Sequence, residues 1–79
     1  NAQANHNLGV LAVEFGREDA ALSLLKAAVD LQPNVAEFWI SYISSLIRCE
    51  KLGDAKEILA EAKQKGAKGP GFDKLHDIF

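Results

Sequence analysis

Apolar residues recur along this chain at helical spacing. Ala21, Leu25 and Ala28 form one stripe, Trp39, Tyr42, Ile43 and Leu46 a second, and Ala55, Leu59 and Ala62 a third. Leu8-Gly9 shares a helical face with Ala12 and Phe15, and Phe72, Leu75, Ile78 and Phe79 have the i, i+3, i+6, i+7 spacing of an amphipathic turn or two. The pattern predicts five helices, at about 2–15, 18–31, 35–49, 53–65 and 72–79. Pro33 lacks an amide donor and clashes with the preceding turn, so it ends the second helix. Asn34 with Glu37, and Asp54 with Glu57, have the spacing of capping boxes. Gly16 and Gly66 suit left-handed helix ends, and Gly66-Ala67-Lys68-Gly69-Pro70-Gly71 reads as a turn between helices. Connections this short make sequential helices antiparallel neighbours.

A 34-residue echo runs through these stripes. Ala21, Leu25 and Ala28 return as Ala55, Leu59 and Ala62, Ala2 returns as Ala36, and Arg17 and Leu24 return as Lys51 and Ile58. A fixed period of that length means stacked supersecondary units, each too small to bury its own apolar face. Small residues at Gly9, Ala21, Ala28, Ala55 and Ala62 let paired helices approach to the short end of the ~8–10 Å interaxial range. Leu8, Leu25, Trp39, Tyr42 and Leu59 are expected to fill the space beside those contacts.

Composition narrows the function classes. A chain of 79 residues allows one domain. A net charge of −2 and a pI near 5.6 lack the basic face that nucleic-acid binding requires. No apolar run approaches the ~18 residues of a membrane span. A single cysteine, Cys49, excludes an internal disulfide and fits a reducing, cytoplasmic compartment. His6, His76 and Cys49 have no metal-ligand spacing, and Glu14, Glu18 and Asp19 flank a helix boundary facing water. No catalytic constellation or cofactor motif is present, so the chain reads as a binding scaffold and not an enzyme.

Leu8-Gly9 followed by Ala21, Leu25, Ala28 and Pro33, and then Trp39 with Ala55, Leu59 and Ala62, resemble the tetratricopeptide repeat. Asn5 and Ala12 stand where that pattern has Trp and Tyr, Tyr42-Ile43 replace Leu-Gly, and Ala67 replaces the final Pro. The resemblance implies an all-α fold, a right-handed stack of two helical hairpins (residues 2–34 and 35–67) with a capping helix at 71–79. Two units plus a cap then read as one module of a longer protein. It also implies a concave groove that docks a protein or peptide partner. The groove-facing positions in the first unit are Gln3, His6, Asn7, Val10, Val13 and Glu14; in the second they are Glu37, Ile40, Ser41, Ser44, Ile47 and Arg48.

Asn7 precedes Leu8-Gly9, where the repeats of O-linked N-acetylglucosamine transferases carry an asparagine ladder, and its amide can both donate to and accept from a peptide backbone. Ser41 breaks the ladder after one rung. His6, Val10 and Ser41 replace the cationic and amide groups of the carboxylate clamp found in chaperone-binding members. Ile40 and Ile47, with Val10 and Val13, are left for an apolar groove floor, unless the terminal helix or a second copy of the chain covers them. The stretches Asn7–Leu11, Phe38–Ile43 and Lys65-Gly66 also resemble repeats that precede transferase domains in large bacterial proteins, which makes a transferase's docking module the alternative reading. Because nothing covers the apolar outer face of the first helix, weak self-association through that helix or the groove is expected.

Overall fold

The computed structural model describes the backbone of residues 1–78 and every side chain in that range except those of His76 and Ile78. Its helices are α1 (Ala2–Glu14), α2 (Glu18–Leu31), α3 (Ala36–Arg48), α4 (Leu52–Gln64) and α5 (Pro70–Asp73), the last running into a 3-10 turn, Lys74–Ile78. Helix accounts for 79% of the chain, with no strand among the described residues. The fold is the expected stack of two helical hairpins: α1 pairs with α2, α3 packs on α2 and is paired with α4, and α5 sits on α3.

The first hairpin is the tighter of the two. Gly9 explains this, because a Cβ there would lie 2.7 Å from Leu25 Cγ and 3.4 Å from the Ala21 carbonyl oxygen. In the second hairpin the equivalent place is taken by Ile43, which is fully buried and fills the wider gap. The core is built around α3, whose Phe38, Trp39, Tyr42, Ile43 and Leu46 are all buried, with Leu25, Val29, Leu59, Phe72 and Leu75 closing on them. Trp39 is 1% exposed, and its indole N–H donates to the Pro33 carbonyl at 2.7 Å. One side chain thus fills the seam between hairpins and fixes the turn that joins them.

Three helices end in the same way. After α1, the Gly16 amide donates to Val13 O and Arg17 to Ala12 O; after α3, Glu50 to Ile47 O and Lys51 to Leu46 O; after α4, Gly66 to Lys63 O and Ala67 to Ala62 O. These paired bonds satisfy the last carbonyls of each helix and require a left-handed residue between them. Gly16 (φ 74°) and Gly66 (φ 89°) supply it as expected, whereas the middle turn uses Glu50 at φ 60°.

Several expectations are corrected. Neither capping box forms: α3 starts behind Val35 and α4 behind Lys51, with no side-chain cap at either. The left-handed turn at Glu50 brings the chain round early enough for the Ala55 amide to reach Lys51 O, so Asp54 falls inside the first turn of α4. The capping side chain that does form is Asn1, which accepts from the Ala4 amide at 3.0 Å. Leu8 does not fill the space beside Gly9 but is 53% exposed, on the face of α1 turned away from α2. The terminal segment is a short helix and a 3-10 turn in place of one helix. Phe72 and Leu75 are buried as a lid requires, while the side chains of His76 and Ile78 and the whole of Phe79 lie outside the described residues.

Two predictions follow from this packing. Trp39→Ala is expected to cost about 3–5 kcal/mol, most of the stability of so small a domain; a near-native melting temperature would contradict it. Gly9 and Glu50 invert the usual glycine rule. Gly9→Ala raises helix propensity yet should destabilise by about 1–3 kcal/mol through overlap with Leu25, whereas Glu50→Gly should stabilise by about 1 kcal/mol by relieving the left-handed strain. Thermal melts of the two variants read both signs directly.

Candidate functional site: the concave groove between α1 and α3

α1 and α3 run side by side, joined in their N-terminal halves by His6. The imidazole is buried against the ring of Phe38, with centroids 4.9 Å apart and planes 30° from parallel. Its Nε2 lies 2.6 Å from Ser41 Oγ, and its buried Nδ1 has no hydrogen-bond partner among the described residues. A proton on Nε2, donated to Ser41 Oγ, is the arrangement that avoids a buried N–H without an acceptor. Ser41 then accepts from His6 and keeps its own hydroxyl proton to donate.

Beyond this pin the two helices enclose an open cavity of about 180 Å³, lined by Val10, Val13, Glu14, Ser41, Ser44, Ser45 and Arg48. Small serine side chains on α3 leave the room, and the valines of α1 make one wall apolar. Glu14 and Arg48 put opposite charges on the rim; they form no ion pair with each other among the described residues. The one ion pair described, Lys26 with Asp30 at 2.9 Å, is exposed on α2 and contributes little.

Six of the twelve residues expected in the groove meet in this cavity: Val10, Val13, Glu14, Ser41, Ser44 and Arg48. Gln3 and Asn7 are exposed further along α1, where the Gln3 amide donates to Asn7 Oδ1 at 2.9 Å. Glu37 is exposed in the first turn of α3. His6 is held in the seam between the helices. Ile40 and Ile47 are half-buried against the core, and Ile40 lies under α5, where a Cβ on Gly71 would come within 3.3 Å of its Cδ1. The terminal segment therefore covers part of the expected apolar floor.

Ser45 was not expected in the groove. Its signal is the i, i+4, i+7 series Ser41, Ser45, Arg48, a polar stripe on an otherwise apolar helix. Cys49 lies just past the cavity, half-buried; burial, together with the Glu18 carboxylate, holds its thiol above the usual range, which suits an unreactive packing role. No group of residues able to hold a metal ion exists among the described residues, and no helix there is long and apolar enough to cross a membrane.

With two hairpins stacked through a buried Trp and a groove on one side, the family comparison is decisive. A model of the tetratricopeptide repeat matches residues 12–76. The chain belongs to the tetratricopeptide repeat family. No curated protein and no solved structure matches it. Tetratricopeptide repeats usually mediate protein–protein contacts and are generally scaffolds without catalytic chemistry. The match leaves out Ala2–Leu11, so the groove residues of the first half of α1 rest on geometry alone.

The His6–Ser41 contact makes a prediction. Ser41→Ala strips the buried imidazole of its described hydrogen-bond partner and should destabilise by about 1–3 kcal/mol, more than an exposed serine would. A change indistinguishable from that of Ser23→Ala, an exposed serine on α2, would show that the contact carries no weight.

Proposed function

We propose that this tetratricopeptide repeat module docks an extended peptide or partner segment in the concave groove between α1 and α3. The observation that carries this reading is the cavity itself. It has one apolar wall from Val10 and Val13, hydroxyls from Ser41 and Ser44 opposite, and one charge of each sign at its rim. An apolar side chain of the ligand would enter against the valines, and backbone groups would meet the hydroxyls. Asn7 extends the site along α1. Its carbonyl oxygen already accepts from Gln3, which leaves the amide N–H groups to donate to a ligand carbonyl. Gln3, His6, Glu37, Ile40 and Ile47 complete the proposed surface, with His6 and Ile40 shaping it from beneath.

The exposed Asn7 also favours a second reading, in which the same groove is the docking module of an O-linked N-acetylglucosamine transferase-like or other transferase. The sequence of the full-length protein separates the two, since a transferase domain beside the repeats would favour the second and further repeats a general adaptor.

The groove reading is tested with peptides selected from a random display library against the purified chain. Ser44→Arg, which fills the cavity from a half-exposed position, should weaken binding of the selected peptides by about tenfold or more without lowering the melting temperature. Lys56→Glu, on the exposed face of α4, should leave it unchanged. Equal loss in both variants, or none in either, would contradict the proposal.

A further inference from the structure

Ser45 is 6% exposed, yet its hydroxyl has no hydrogen-bond partner among the described residues. A helical serine can bond back to the carbonyl one turn before it, and Ser45 does not. The polar side-chain atom there that is both sealed from solvent and unpartnered is His6 Nδ1, so Ser45 Oγ opens into the cavity it lines. Ser45 is also the one buried residue of that lining, which puts it at the inner end. Ser41 stands beside it with a proton left to donate, because its oxygen accepts from His6 Nε2 at 2.6 Å.

Both walls of the cavity belong to α1 and α3, so its shape does not depend on what adjoins either edge of the stack. Its volume of about 180 Å³ is roughly six times the ~30 Å³ share of one water. That is room for one sizeable side chain. The cavity asks two things of it: an apolar body to lie against Val10 and Val13, and a polar tip for the hydroxyls at the inner end.

Elimination narrows the side chain. A Leu or Phe would displace water from Ser45 and leave its hydroxyl unbonded. Ser and Thr are too small to fill the space, and Asn and Gln have little apolar body for the valine wall. The Trp indole only donates, so it cannot accept the Ser41 proton. Glu14 and Arg48 set one charge of each sign at the rim, which favours a neutral side chain over an acidic or basic one. Tyr meets both demands, with an apolar ring and a phenol that donates and accepts.

We infer that this cavity receives a tyrosine side chain of the docked segment, its ring against Val10 and Val13 and its hydroxyl bonded to Ser45 and Ser41. The inference rests on the groove reading above and names the residue that the groove selects. Ser45 is then the specificity determinant: a site built to bond a hydroxyl discriminates against the same side chain lacking it.

The test uses the display-selected peptides whose binding Ser44→Arg weakens. They are expected to share a tyrosine at one position, and replacing it by phenylalanine should weaken binding by about tenfold or more. Ser45→Ala should erase that preference, lowering affinity for the tyrosine peptide while sparing the phenylalanine one, with a melting curve that shows the variant folded. The peptide exchange needs no change to the protein, so it decides the matter even if Ser45→Ala unfolds. Groove-bound peptides without a shared tyrosine, equal binding of the tyrosine and phenylalanine forms, or equal loss of both in folded Ser45→Ala would overturn this inference alone. Selected peptides all indifferent to Ser44→Arg would overturn the groove reading and this inference with it.

Discussion

The need to cover α3 on every side organises this small domain. Phe38, Trp39, Tyr42, Ile43 and Leu46 point in several directions around one helix, and an apolar surface of that extent is stable only when surrounded. α2 covers one side through the Trp39 seam, α4 another through Ala55, Leu59 and Ala62, and α5 a third through Phe72. The remaining side meets α1, and only near Phe38, where His6 stacks. Past that point α3 turns serines toward α1, and α1 offers valines. The groove is thus the place where the packing requirement relaxes.

How much of this was legible in the sequence follows from what each signal encodes. Helical stripes report which face of a segment is apolar, so four helices were placed to within a residue or so, and Trp39 and Gly9 were recognised as seam and close-approach positions. A stripe does not report which neighbour is present. Leu8 has the right character for a buried residue, but the helix that would bury it is not among α1–α5, and it stands in water. Glu50 hid its left-handed turn because no glycine marks it. The signal was there in the period, since Glu50 stands 34 residues after Gly16. The Asp54 capping box failed for a related reason, as the turn at Glu50 restarts the chain before Asp54 is reached. His6 was legible as a groove position but not as the groove's internal brace, because its partners Phe38 and Ser41 come from the other hairpin.

Three faces of α1 divide its work. Gly9, His6 and Ala2 hold it to the stack, Val10 and Val13 line the groove, and Leu8, Leu11 and Phe15 face outward. A helix with no charged side chain before Glu14 serves both apolar surfaces, whereas α4 exposes Lys56 and Lys63 at the opposite edge. The family supplies the frame for such an arrangement, and the particular side chains decide what the frame can hold. Here they line a small groove with two valines, three serines and one charge of each sign, and under the proposed function that lining favours an extended segment with an apolar side chain over a strongly charged ligand.

The most direct measurement of the central claim is an amide chemical-shift map of the chain titrated with a selected peptide. If the groove is the docking site, the shifts concentrate at Asn7, Val10, Val13, Ser41, Ser44 and Arg48, with α4 unmoved. Shifts concentrated on α4, or along Leu8, Leu11 and Phe15, would contradict it.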